Sequence, residues 1–330
     1  MKKLINDVDA LLRQSLEGFG RAHADLVTVS LEPAVIRRKA GTRAGKVALI
    51  SGGGAGHEPL HGGYVGMGML DAACPGQVFT SPTPDQMLAA IEATDSGAGA
   101  LLIVKNYEGD VMNFDMAAEM ASARTARVLV NDDVAVENSS FTTGRRGVAG
   151  TVVVEKILGA AAEAGMGLDG LEALGHAVNA ATRSMGCALT SCTVPAAGRP
   201  TLALGADEME MGVGIHGEPG RKRVPLAPAA AIVDEMMQAV LGDLPPRQGD
   251  DVLLLVNGFG ATPLMELYLV YHEAVTRVEA AGLKVGRSLV GNWCTSLDMA
   301  GCSVTVTRLD AATTRLWDAP VHTPALRWGC

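Results

Sequence analysis

Residues 46–59 read KVALISGGGAGHEP, and this stretch decides the fold. The apolar run 46–51 stops at a series of glycines, which is typical of a strand buried on both faces of a parallel sheet. A second run of this kind, ALLIVK at residues 100–105, leads into the polar segment NYEGD at residues 106–110. Helical patterns lie between such runs. Strands that alternate with helices predict a doubly wound α/β domain with a largely parallel sheet.

This architecture also predicts where a ligand binds. In sheets of this type, ligands lie beyond the carboxyl ends of the strands. The loops at residues 52–57 and 106–110 both follow strand ends, so we expect them to meet. His57, Lys105 and Asp110 then come together, and such a set suits general acid–base chemistry on a small polar substrate. From the residues alone two other readings stay open, since Asp110 can cap a turn and Lys105 can reach solvent.

The pattern changes after about residue 184. A chain of 330 residues exceeds the usual size of one hydrophobic core. We therefore predict an N-terminal α/β domain over residues 1–184 and a C-terminal α/β domain with a mixed sheet over residues 185–330. The further strands predicted are 127–130, 186–194, 201–204, 208–215, 252–256, 284–290 and 303–307. The helices predicted are 85–94, 114–124, 151–164, 229–241 and 263–281, besides one at the N-terminus.

Composition narrows the class of protein. The chain has a net charge of −9, with 48% hydrophobic and 19% charged residues. This balance argues against a nucleic-acid partner, which needs a basic surface. No run of about 18 uncharged apolar residues is present, so no membrane span is expected. The N-terminus lacks the pattern of a signal peptide, and six cysteines without a CxxC pair are typical of reduced thiols. The predicted location is the cytoplasm.

Two short motifs match known patterns poorly. His57 to His61, HEPLH, fits the zinc-protease pattern H-E-x-x-H, but Pro59 disfavours the continuous helix which that pattern needs. A metalloenzyme that uses His57 and His61 is therefore the least favoured hypothesis. Residues 41–47, GTRAGKV, resemble a P-loop but are one residue short, lack the Ser or Thr and precede the strand. Neither motif predicts a metal or nucleotide site.

A second histidine lies among glycines at residues 208–220, EMEMGVGIHGEPG. The alternation at 208–211 predicts a half-buried strand, and the glycines after it indicate tight turns or a close approach to the backbone. His216 in this loop can cap a turn, or it can act as an acid, base, ligand or nucleophile. Both alternatives stay open on the pattern alone.

The longer motifs carry a resemblance. SGGGAGHEPLHGG, KNYEGD, GRRGVAGT, CTVPAAG, MGVGIHGEPG and GATPLMELY are similar to those of the dihydroxyacetone kinase K-subunit family, and the similarity extends over essentially the whole chain. The resemblance implies that His216 forms a covalent hemiaminal with the carbonyl of a short-chain ketose. It implies that His57 assists as acid or base and that Asp110 is the base facing the substrate hydroxyl. The residues implied in substrate binding are Gly54, Ala55, Gly56, His57, Lys105, Asp110 and His216.

The family also implies the partners. No metal or cofactor is expected on this chain, and ADP or ATP with Mg²⁺ is expected on a separate nucleotide-binding L subunit. A phosphoryl-donor M protein and a homodimer are further expectations. Because the sequence ends at Cys330, we expect a stand-alone substrate-binding subunit.

Two features of the sequence depart from the family. Ala55 stands where the family usually has Ser, and residues 242–250 form a short segment where other members are longer. A kinase subunit for a related ketose such as erythrulose stays an alternative, as does a non-catalytic ketose-sensing regulator. Glu218, two residues after His216, is a candidate to orient the imidazole.

Overall fold

Two six-stranded sheets organise the chain in a computed structural model that describes residues 2–135, 144–244 and 250–330. Helices cover these sheets. The helices of the described residues are α1 (Leu11–Ala22), α2 (Pro84–Thr94), α3 (Glu108–Met120), α4 (Gly150–Glu163), α5 (Leu168–Ala180), α6 (Ala229–Asp243), α7 (Leu264–Ala280) and α8 (Ala311–Asp318).

The first sheet has the strand order β1-β2-β4-β3-β5-β6. Its strands are β1 (Val27–Leu31), β2 (Ala34–Arg38), β3 (Ala48–Ala55), β4 (Ala72–Val78), β5 (Ala100–Lys105) and β6 (Thr125–Val130). The pairs β3–β4, β3–β5 and β5–β6 are parallel, whereas β1–β2 and β2–β4 are antiparallel. Every residue of β3 and β5 is buried, as expected for central strands with helices on both faces.

The second sheet has the order β11-β10-β12-β7-β8-β9. Its strands are β7 (Thr182–Ala188), β8 (Glu208–Met211), β9 (Lys222–Pro225), β10 (Asp251–Gly258), β11 (Lys284–Gly291) and β12 (Gly301–Leu309). Only β10–β11 is parallel among the pairs described. A short ribbon, β13 (Val321–His322) with β14 (Arg327–Trp328), follows near the C-terminus. The predicted fold class, a largely parallel sheet followed by a mixed one, is confirmed.

Helix α4 joins the two halves of the structure. Residues 150–162 of this helix are all buried, and it contacts β3, β5 and β6 of the first sheet and β7 and β12 of the second. Its apolar face is part of a core that takes residues from both sheets. The sequence TVVVEKILGAAA places small and branched apolar side chains on nearly every face, which suits a helix enclosed by other elements.

Several predicted elements differ from those observed. Residues 201–204 form no strand, and the predicted strands 186–194 and 208–215 are in fact 182–188 and 208–211. The prediction of a helix at 114–124 was wrong at its start, because α3 begins at Glu108 and ends at Met120. Elements that the sequence analysis did not predict are β1, β2, β4, α5, β9, α8, β13 and β14. Most of these are short or lie at sheet edges, where apolar periodicity is weak.

The predicted domain boundary between residues 184 and 185 falls inside β7, which is hydrogen-bonded along its length into the second sheet. The division into two domains stays a prediction. No helix in the described part of the chain is long and apolar enough to cross a membrane. Residues 245–249 of the short segment noted at 242–250 lie outside the described residues.

Candidate functional site

A cavity of about 590 Å³ lies where the carboxyl ends of β3 and β5 face the loop after β8. The three loops that the sequence analysis singled out meet there. The residues that line the cavity are Gly54, Phe79, Ser81, Tyr107, Glu108, Gly109, Asp110, Thr201, His216, Gly217, Glu218 and Pro219. The cavity is therefore built from both sheets, with two of the three predicted catalytic side chains on its wall.

Asp110 lies in the first turn of α3, not in a polar loop as predicted. A carboxylate at this position is stabilised by the free backbone N–H groups at the helix N-terminus. Its Oδ2 accepts a hydrogen bond from Lys105 Nζ at 3.4 Å. Lys105, at the end of β5, is 1% exposed and also donates to the carbonyl of Gly52 at 3.3 Å. The predicted meeting of the two strand-end loops is confirmed by these contacts.

His57 lies directly behind the cavity wall. Its Nδ1 is 2.8 Å from the carbonyl oxygen of Thr295, so Nδ1 carries the proton and Nε2 is left as the acceptor. This Nε2 is buried and has no hydrogen-bond partner among the residues that the structure describes. Burial, His216 and Lys105 lower the pKa of His57 well below its usual value, which keeps the imidazole neutral. A buried acceptor without a partner, next to a cavity, is suited to a ligand hydroxyl.

His216 projects into the cavity between three rings. Its ring centroid lies 4.7 Å from that of His57, 5.1 Å from Phe79 and 4.6 Å from Tyr107, and all three contacts are edge-on. Its Nδ1 is 3.1 Å from Oε1 of Glu218. The carboxylate can only accept, so Nδ1 is the donor and the lone pair of His216 lies on Nε2. In the neutral form of the ring, this arrangement makes Nε2 the nitrogen that is available at the cavity.

Glu218 is held as an anion beside His216. Burial raises the pKa of Glu218, but His216, the hydrogen bond to it and the nearby Arg146 lower that pKa further, to about 2. Its Oε2 also accepts from the backbone N–H of His216 at 2.9 Å. Arg146 is fully buried and pairs with Asp133 at 2.6 Å. This charge network fixes the loop that carries His216.

Two glycines on β3 allow the neighbouring groups to approach. A Cβ at Gly53 would lie 2.3 Å from Lys105 Nζ, and a Cβ at Gly54 would lie 2.6 Å from the backbone nitrogen of Thr80. Neither distance is compatible with a side chain unless these atoms move. The glycine run thus lets Lys105 and the Phe79–Ser81 segment close around the site.

The other predicted binding residues take different positions. Ala55 lines a neighbouring cavity of about 410 Å³ against α1. Gly56 has a φ of 101° and lies against the ring of Phe79 and the side chain of Leu297. Together with His57 and Lys105 it forms the layer behind the wall rather than the wall itself. Direct contact between these residues and a substrate stays a prediction.

A comparison with known protein families shows to which family the chain belongs. The Dak1 domain matches residues 17–325. The chain belongs to the Dak1 family.

Three known proteins show which members of the Dak1 family this chain is similar to. It is 49% identical to the dihydroxyacetone-binding subunit DhaK of the PEP-dependent dihydroxyacetone kinase of Escherichia coli K12, over 100% of both chains. It is similar in structure to the dihydroxyacetone kinase operon co-activator DhaQ, with a TM-score of 0.89 and 33% identity over 94% of this chain and 97% of the other. The dihydroxyacetone kinase of C. freundii matches with a TM-score of 0.87 and 32% identity, over 99% of this chain and 60% of that kinase. A further structure of the C. freundii kinase contains AMP-PNP and Mg²⁺.

Several site residues of this Dak1 chain escaped the sequence analysis. Phe79 stacks on His57 with a centroid separation of 5.0 Å, Tyr107 contacts His216, and Thr295 fixes the tautomer of His57. Arg146 could have been found, since it lies in the quoted motif GRRGVAGT. Phe79 and Thr295 lie in FTSPTPDQ and CTSLDM, motifs that carry no chemical signature of their own.

The HEPLH motif does not form a shared metal site. His57 pairs with Thr295, whereas His61 points to Lys105 Nζ and to Glu155. Within residues 2–135, 144–244 and 250–330, no group of three or more His, Cys, Asp or Glu side chains has an arrangement that could hold a metal ion.

Proposed function

We propose that this chain is the dihydroxyacetone-binding subunit of a dihydroxyacetone kinase and works with a separate nucleotide-bearing subunit. One observation carries the proposal: His216, with its lone pair on Nε2, and Asp110 line the same cavity. The end-to-end similarity to the dihydroxyacetone-binding subunit of E. coli supports it. Dihydroxyacetone offers one carbonyl and two hydroxyls, which suits a nucleophile and a base held on one wall.

The first step in this proposal is reversible addition to the ketone. Nε2 of His216 forms a bond to the carbonyl carbon, the C=O π pair moves to oxygen, and that oxygen takes up a proton. The imidazolium formed at the same time is stabilised by the Glu218 carboxylate, and its Nδ1 proton passes by way of solvent to the new oxygen, so the adduct is a neutral hemiaminal with no net gain or loss of protons. The free Nε2 of His57 is the acid–base group nearest to this exchange. Polyols such as glycerol lack the carbonyl and cannot form the adduct.

The second step is transfer of a phosphoryl group to a substrate hydroxyl. Asp110 accepts the hydroxyl proton as the oxygen attacks phosphorus, and Lys105 balances the charge on the carboxylate. The adduct holds the hydroxyl in place, which replaces a bimolecular encounter with an oriented one. Charge on the transferring group is stabilised by the partner's metal and not by this chain.

The partners form part of the proposal. We place ADP or ATP with Mg²⁺ on an L-type subunit that covers the cavity, because the related C. freundii kinase binds AMP-PNP and Mg²⁺. We also propose an M-type phosphoryl donor that draws on phosphoenolpyruvate. The chain is further proposed to form a homodimer and to be located in the cytoplasm. The E. coli relative is named as PEP-dependent, which favours this donor over free ATP.

A second candidate is a non-catalytic regulator that binds a ketose. The likeness to the co-activator DhaQ, at a TM-score of 0.89, favours it. The presence of Asp110 on the cavity wall opposes it, since a sensor needs the adduct but no base for a hydroxyl. A kinase subunit for erythrulose is a variant of the first candidate.

The test is a substrate panel with the purified chain and an L-type partner loaded with ATP and Mg²⁺. The proposal predicts phosphorylation of dihydroxyacetone, with erythrulose slower and glycerol inert. Tight binding of dihydroxyacetone without any turnover would instead identify the regulator. Turnover of glycerol at a comparable rate would rule out selection by a carbonyl adduct.

A further inference from the structure

A line of four polar side chains runs from the cavity into the interior of the first sheet. It begins at Asp110 and continues through Lys105 to His61 and Glu155. Lys105 Nζ lies 3.0 Å from Nε2 of His61, and Nδ1 of His61 lies 2.6 Å from Oε1 of Glu155. His61 is 6% exposed, and Glu155, on the buried helix α4, is 0% exposed. The proposed chemistry uses only the first two of these residues.

The proton positions along this line follow from the donors. The ammonium of Lys105 can only donate, so Nε2 of His61 must accept and its proton must lie on Nδ1. Ser51 gives independent support, because its hydroxyl donates to the carbonyl of Ile103 at 2.7 Å and is left to accept from Nδ1 at 3.0 Å. Burial and the nearby Lys105 and His57 lower the pKa of His61, which keeps the ring neutral.

Glu155 fixes this tautomer. Its Oε1 accepts from Nδ1 of His61 in either ionisation state, and burial raises its pKa well above the usual value. Its Oε2 is buried, and no group in the described part of the chain forms a hydrogen bond with it. An acid in such a place destabilises the fold relative to an apolar side chain. Groups that cost stability in this way are found most often where function requires them.

The three protons of the Lys105 ammonium therefore face three acceptors. These are the Gly52 carbonyl, Nε2 of His61 and Oδ2 of Asp110. Loss of the His61 acceptor would leave a proton of a buried ammonium unpaired and free Lys105 to turn away from Asp110.

We propose that His61 and Glu155 are positioning residues for phosphoryl transfer, which hold the Lys105 ammonium against Asp110 through the fixed tautomer of His61. The inference rests on the proposed function, because it assigns a role within that reaction. Neither residue touches the cavity that contains His216, so both act through Lys105. Ketose capture at His216 does not depend on them.

Two substitutions of His61 separate this role from simple packing. In His61→Gln the amide oxygen can take the place of Nε2 and accept from Lys105. In His61→Asn the amide reaches only the position of Nδ1, so the contact with Glu155 survives and that with Lys105 is lost. With an L-type partner and dihydroxyacetone, we expect kcat to fall about tenfold to a hundredfold in His61→Asn, with KM within about threefold of the unsubstituted protein. His61→Gln should restore kcat to within about threefold.

Glu155 offers a second pair with an independent readout. Glu155→Gln keeps an acceptor for Nδ1 and should keep most of the activity. Glu155→Met removes the acceptor and fills the same space, so the Tm should hold or rise while kcat falls about tenfold. If Glu155 had a purely structural role, activity would be lost only in a variant whose Tm also falls.

The outcomes are distinct. Unchanged kcat in both His61→Asn and Glu155→Met, or equal loss in His61→Gln and His61→Asn, would overturn the inference. Addition of ¹³C2-labelled dihydroxyacetone reports the adduct by the shift of its carbonyl carbon, and the variants should form it as the unsubstituted protein does. If the unsubstituted protein itself neither forms the adduct nor turns over, the proposed function fails and the positioning role fails with it, whereas normal turnover of the unsubstituted protein with no effect in the variants overturns the positioning role alone.

Discussion

Nδ1 of His216 lies 3.1 Å from Oε1 of Glu218, and the other oxygen of that carboxylate accepts the backbone N–H of His216 at 2.9 Å. One side chain thus fixes both the loop and the tautomer of the ring. Because the proton is held on Nδ1, the nucleophilic lone pair is directed from Nε2. In the proposed addition to a carbonyl, Glu218 is therefore the group that orients His216.

Glu218→Gln should weaken that addition. The amide can still accept from Nδ1, but it lacks the negative charge that stabilises the imidazolium formed as His216 bonds to the carbonyl carbon. A hydrogen bond to a charged group contributes about 1.5–3 kcal/mol, so we expect kcat/KM for dihydroxyacetone to fall about tenfold to a hundredfold. Steady-state kinetics with a competent partner subunit measure this. Unchanged kcat/KM would exclude a role for the carboxylate.

The same residue should make stability depend on pH. The pKa of Glu218 falls from an ordinary value of 4.5 to about 2 in the folded protein. Its contribution is therefore present above about pH 4.5 and is lost as the pH falls toward 2. The difference in unfolding free energy between the unsubstituted protein and Glu218→Gln should narrow by about 2 kcal/mol from pH 5 to pH 3, at about 1.4 kcal/mol per pH unit. Urea titrations at each pH test this, with Glu92→Gln, an exposed acid on α2, as the control that shows no such change.

Asp110→Asn should separate capture from transfer. The amide keeps the shape of the side chain but cannot accept the hydroxyl proton, and general base catalysis contributes about 10²- to 10⁴-fold. We expect kcat to fall by that factor while the adduct on His216 still forms. Asp115→Asn, on the outer part of the same helix, is the matched control and should leave kcat unchanged. Normal turnover in Asp110→Asn would show that another group is the base.

Gly54→Ala should disrupt the cavity wall. The new Cβ would meet backbone atoms of Thr80 and Phe79 at 2.6–2.8 Å, so the segment that lines the cavity must shift. We expect a loss of stability of about 1–3 kcal/mol and a large fall in kcat/KM. The control is Gly18→Ala in α1, where a Cβ would meet no described atom within 4 Å beyond its chain neighbours and the nearby helix backbone, so the change should stabilise the helix by about 0.5–1 kcal/mol. Equal activity in the two variants would contradict the close approach at Gly54.

The sequence predicted the fold class and the meeting of the strand-end loops, because the runs at 46–51 and 100–105 have the continuous apolar pattern of buried parallel strands. It did not predict β1, β2 or β4, whose partly exposed or glycine- and proline-containing sequences carry little periodicity. It also misplaced the start of α3, because NYEGD reads locally as a turn. The helix packs Phe114 and Ala117 against the first sheet, and such tertiary contacts are not encoded in a short pattern.

The site shows the same division. His57, Lys105, Asp110 and His216 were found because polar groups at strand ends, and the motifs around them, are informative. Their hydrogen-bond partners were not, since Thr295 lies 238 residues from His57 in the chain. Such contacts depend on tertiary packing. Ala55 was predicted to bind the substrate because it lies in the same motif as His57. In the structure it faces a different cavity.

A crystal structure of the chain soaked in dihydroxyacetone tests the central claim most directly. We expect continuous density between Nε2 of His216 and the carbonyl carbon, which should be tetrahedral. A substrate hydroxyl should lie within hydrogen-bond distance of Asp110. A planar ketone with no bond to His216, or a bond to His57 instead, would contradict the claim.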